Sequence, residues 1–136
     1  MSLSQARSAL IKAFTDAALF DVAKVQWENM AFTPPSDSWA AVFIVPAQPI
    51  VASLGTGGAD NFDGFMQVDL NFPLQSGEKD ISAKFDALRN IFTAGASFVY
   101  QGQAVVIKSC GRSQGRVVNG FYRISATIMF YARINR

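Results

Sequence analysis

Seven side chains in this sequence are candidates for function: the carboxylates of Asp60, Asp63 and Asp69, and the guanidinium groups of Arg112, Arg116, Arg123 and Arg133. Neighbouring carboxylates can share acid–base work or hold a hard cation. The spacing here marks no pair, because Asp is also common in loops for its turn chemistry. The arginines could neutralise phosphates or anchor a protein interface. The interface is the better reading, since the excess of basic over acidic residues is only two. The chain has no His and a single Cys, Cys110. A Ser-His-Asp triad, a Cys-His dyad, a His-ligated zinc site and an internal disulfide are therefore excluded. No catalytic residue, cofactor or metal is expected.

Two glycine-punctuated segments invite comparison with phosphate-binding loops, and both fail it. The run from Gly55 through Gly57 and Gly58 has Asp at position 60, where a dinucleotide fingerprint needs Gly, and a strand follows it. The run Gly111–Arg116 lacks the Lys-Ser/Thr pair of a P-loop, and no helix follows to present its N-terminus.

The charges are unevenly placed along the 136 residues. Residues 1–86 hold all ten acids against five bases, a balance of −5; residues 87–136 hold seven bases and no acid, a balance of +7. Such a split suits head-to-tail self-assembly or an anionic partner. No apolar run is long enough to span a bilayer, and the segment from Met1 to Arg7 lacks the pattern of a signal peptide, so a soluble, cytoplasmic protein is expected.

The elements that must position these groups follow from periodicity. Leu3, Leu10, Phe14, Ala17 and Ala18 predict a helix over 4–20, capped by Ser2 or Ser4. A short strand over 23–27 comes next, then a stiff loop around Pro34-Pro35. The run from Trp39 to Val45 is apolar on both faces, which predicts a covered central strand ending at Pro46; a separate short strand is expected over 50–54. The segment from Gly55 to Gly64 reads as a flexible loop that orders on binding. Beyond it, Met66, Val68, Leu70 and Phe72 alternate with Gln67, Asp69 and Asn71, which puts Asp69 on an outward face. Ile81, Phe85, Leu88 and Phe92 predict a second helix over 79–93. Strands over 97–100, 103–109 and 121–134 complete the chain, with Arg123 and Arg133 outward on the last and Arg112 and Arg116 in the loop before it. The class is α+β: one domain over residues 1–136, a single mostly antiparallel sheet flanked by two main helices.

Trp27-Glu28-Asn29, Phe32, Pro34-Pro35 and Trp39, followed by Pro46, the Gly55–Gly58 loop, Gly64, Val68-Asp69-Leu70, Pro73, Gly77 and Phe92, form a pattern of turns, prolines and aromatics. It resembles the tail terminator proteins of long-tailed bacteriophages over nearly the whole chain. The resemblance implies a virion structural protein without catalysis, assembled in the host cytoplasm. It would form a ring of six that caps the tail tube, ends its polymerisation and offers a surface to the head connector. DNA would pass through the ring without sequence-specific binding, and no membrane is involved. The contacts expected are Arg112, Arg116, Arg123 and Arg133 against Asp60, Asp63 or Asp69 of a neighbour or acids of the tube. The alternatives are a head-completion or tail-tube protein of similar architecture and a basic nucleic-acid-binding module.

Overall fold

The computed structural model describes residues 2–136, except for the side chains of residues 47 and 48. Its order is α1 (Leu3–Asp16), β1 (Val25–Gln26), β2 (Trp39–Val51), β3 (Ala59–Pro73), α2 (Lys79–Ile91), β4 (Ser97–Tyr100), β5 (Gln103–Arg112), β6 (Arg116–Val118) and β7 (Phe121–Asn135). The strands form one sheet in the order β1-β2-β3-β7-β5-β4, with β6 continuing beside β7. Every pairing is antiparallel except that of β1 with β2.

Alternation along β3 and β7 explains the layering. Met66, Val68, Leu70 and Phe72 of β3 and Ile124, Ala126, Ile128 and Phe130 of β7 are buried on one face. Ala6, Leu10 and Phe14 of α1 and Ile81, Phe85 and Leu88 of α2 join them in one hydrophobic cluster. Both helices therefore cover the same face, and the class is α+β as expected. Each Val, Leu, Ile, Phe or Met among them, once fully buried, contributes about 1.5–3 kcal/mol.

The elements differ from expectation where local backbone geometry overrides periodicity. Ser2 caps α1, its Oγ accepting the Gln5 amide at 3.2 Å. The helix stops at Asp16 rather than near residue 20, because Ala18 turns left-handed at φ 52°. β1 is only two residues long, since a 3₁₀ turn takes up Val22–Lys24. Pro46 does not end β2. The strand runs on to Val51 through a register shift between Pro46 and Pro49, so the expected separate strand over 50–54 is its continuation. A bulge absorbs prolines that a regular ladder would reject.

β3 begins at Ala59, well before the expected start, and pairs with β7 without interruption from Ala59 opposite Asn135 to Pro73 opposite Phe121. Asp60, Asp63 and Gly64 are thus strand residues, not loop residues. A further strand, β6, closes onto β7 through Asn119-Gly120, whose φ angles of 49° and 81° are those of a type I′ hairpin turn.

Candidate interaction surface

Among the described residues, the face of the sheet away from the helices is covered only at one end. There Trp39 packs against Phe32, the rings tilted by 37° with centroids 5.2 Å apart, and meets Phe121 edge-on at 5.7 Å. Beside them lies a polar network. Ser125 Oγ donates to Asp69 at 2.6 Å, Gln67 donates to the same carboxylate at 2.9 Å, and Arg116 donates to Ser125 Oγ at 2.9 Å. Arg123 donates to Asn71 at 2.7 Å, with its guanidinium 3.9 Å from Asp69. The segment from Ser113 to Arg116 folds over this spot, and Ser113 Oγ accepts the Ser125 amide at 3.0 Å. Asp69, expected outward and solvated, is therefore buried, as is Asn71.

The rest of that face is open. β-pairing sets Val45, Phe65 and Met129 in one cross-strand row, with Phe43 in the row on one side and Tyr131 in the row on the other. Phe43, Val45, Met129 and Tyr131 are 37–45% exposed. A cluster of this kind rimmed by polar groups marks a protein contact more often than a solvated surface. Lys108 and Asp63 stand on its rim, 3.9 Å apart, and Arg133 is exposed two residues beyond Tyr131. The signal was partly present in the sequence: the residues of β2 that alternate with its core, Trp39, Ala41, Phe43 and Val45, are themselves apolar, whereas on β7 only Met129 and Tyr131 interrupt an otherwise polar outer row from Arg123 to Arg133. It reads there as a covered strand because nothing in one sequence shows which face lacks a second layer.

The expected acid–base contacts are largely satisfied within the subunit. Asp60 pairs with Arg136, Asp63 with Lys108, Asp69 with Arg123, and Glu78 with Arg112. Arg112 also donates to Ser82 at 3.2 Å and lies over the Phe85 ring. Acidic β3 and the basic C-terminal strands are sheet neighbours, so the −5 and +7 parts of the sequence meet in one molecule. Among the described residues, Arg116 and Arg133 have no ion-pair partner. The four glycines are also separated: Gly55, Gly57 and Gly58 lie in the turn between β2 and β3, whereas Gly64 is buried in β3. A Cβ on Gly64 would stand 2.7 Å from the Val45 carbonyl oxygen and 2.9 Å from the Phe130 ring.

Glu28 was not anticipated as a structural residue. Its carboxylate accepts the Ile44 amide at 2.8 Å on the open edge of β2 and faces Arg7 at 3.5 Å. It blunts an edge that would otherwise offer an unpaired donor. Its neighbours in the motif also have local roles: Trp27 packs edge-on against Phe14, and Asn29 turns the chain at φ 57°. Cys110 is half-buried, and burial pushes its thiol pKa up, with Arg89 only partly opposing the shift. No group of potential metal ligands occurs among the described residues. No helix there is long and apolar enough to cross a membrane.

A family model described as phage tail terminator protein matches residues 5–130. No curated protein matches the chain. One solved structure aligns over 97% of this chain and 96% of its own, with a TM-score of 0.78 at 21% identity, a likeness of fold alone.

Proposed function

This chain belongs to the phage tail terminator family, and from that premise we propose that it assembles into a ring of six subunits that caps the tail tube. The family is one of structural tail proteins, not of enzymes. In this reading the ring ends tube polymerisation, presents its other side to the head connector, and lets DNA pass through its centre without sequence-specific contact. Assembly takes place in the host cytoplasm, and the product is part of the tail of a long-tailed phage.

The observation that carries the reading is the open apolar face of the sheet around Phe43, Val45, Met129 and Tyr131. Covering it removes apolar surface from water, the main driving force for association. Arg116 and Arg133, free of acids in their own chain, are left to orient the contact, with Asp63 as the most exposed of the three candidate acids. Arg112, Arg123, Asp60 and Asp69 would contribute by exchanging or sharing their internal partners. A closed ring requires a heterologous contact, in which this face meets a different surface of the next subunit or of the tube.

The experiment is the double substitution Val45→Asp with Tyr131→Asp. Both positions are surface-exposed, so circular dichroism should match the natural chain. Association is expected to weaken on the order of tenfold or more, as for residues central to an interface. Unchanged assembly would remove this face from the account.

A further inference from the structure

The turn joining β2 to β3 is held from outside by a single side chain. Arg136 donates through Nη2 to the carbonyl oxygens of Ser53 and Gly55, through Nη1 to the Ala59 carbonyl at 3.1 Å, and through Nη1 to the carboxylate of Asp60. Its own amide donates to the Gly58 carbonyl at 2.8 Å. Inside the turn, the Ala52 and Ser53 amides both donate to the Ala59 carbonyl, Gly58 donates to Gly55, and Ala59 donates to Ser53 Oγ at 2.8 Å. The site is closely fitted. A Cβ on Gly58 would collide with the Arg136 guanidinium and with the Ser53 carbonyl oxygen. The segment so held presents apolar side chains to solvent: Ile50, Val51 and Leu54, the last 89% exposed.

We propose that Arg136 is a positioning residue that latches this hairpin tip into one conformation in the free subunit. A glycine-rich turn left to itself would be ordered only on contact, at an entropic cost to association. Here that cost is met on folding, by a planar cation whose fork reaches several acceptors at once. The tip is then a preformed contact element. This inference rests on the proposed assembly only for the use made of the tip; the latch itself is a property of the isolated chain.

Hydrogen exchange on the full chain, kept dilute and monomeric, tests it. In the natural chain the amides of Ala52, Ser53, Gly58 and Ala59 are expected to be protected. In Arg136→Ala their exchange should accelerate by about tenfold or more, while the amides of Met66–Leu70 in the sheet centre keep their rates. Arg136→Lys keeps the charge but loses the fork, so it should lose most of the tip protection too, and it gives the same reading should the alanine variant fold poorly. Fast exchange of the tip in the natural chain, or equal protection in both variants, overturns the latch. A protected tip in a chain that stays monomeric at every concentration would uphold the latch and count against the ring instead. If both stand, Arg136→Ala should also raise the concentration needed for assembly several-fold.

Discussion

Asp63 and Asp69 lie on the same face of β3, yet their surroundings make them different residues. Asp63 is half exposed and 3.9 Å from an equally exposed Lys108, a geometry that contributes under about 1 kcal/mol. Asp69 is buried and accepts from Ser125 and Gln67. Removing it strands the buried Ser125 hydroxyl, a cost of about 1–3 kcal/mol. Urea denaturation should therefore separate Asp69→Ala, clearly destabilised, from Asp63→Ala, nearly unchanged. Equal losses would contradict the polar network. Cys110 offers a second check at this scale. Burial disfavours its thiolate, which raises the pKa, so less thiolate is present at any given pH than for a free thiol. Its alkylation by iodoacetamide should be slower than that of a small model thiol at pH 8, with the rate curve displaced to higher pH. Alkylation as fast as the model thiol would contradict it.

At the scale of elements, the β3–β7 ladder sets the positions of nearly everything else, and its tightest point is Gly64. A methyl there meets the Val45 carbonyl oxygen and the Phe130 ring, neither of which can move without disturbing the sheet. Gly64→Ala should cost about 1–3 kcal/mol in thermal or chemical unfolding. Gly55→Ala would meet open space but has φ +89°, so its cost is backbone strain of roughly 1–2 kcal/mol. Much of the architecture was legible in the sequence. The alternation of Met66–Phe72 and Tyr122–Ile134 and the stripe of Ile81, Phe85 and Leu88 each correspond to the observed buried faces. What was not legible has physical causes. Pro46 and Pro49 read as strand ends because a single strand does not reveal that a bulge can carry them. Asp60 and Asp63 read as loop residues because their pairing depends on β7, some seventy residues away. Asn119-Gly120 did carry a hairpin signal, and with it β6 could have been found.

At the scale of the whole molecule, the charge split of the sequence is mostly neutralised inside one subunit. Four of the seven basic residues after position 86 pair with acids that precede them. Of the three left without an ion pair among the described residues, Arg89 lies on α2, so in the proposed ring polar contacts between subunits would fall chiefly to Arg116 and Arg133, with apolar burial as the driving force. Assembly should then weaken only modestly between low and high salt, as sedimentation velocity would record. Loss of assembly on adding salt would indicate interchain ion pairs as the main contact. The candidate acids and bases were visible in the sequence, but their partners were not, because pairing follows from sheet order rather than from spacing. Native mass spectrometry of the purified chain across concentration decides whether this subunit closes into a ring. Monomer should give way to a single closed species of six subunits; open-ended polymers, a fixed dimer, or monomer at every concentration would refute ring closure.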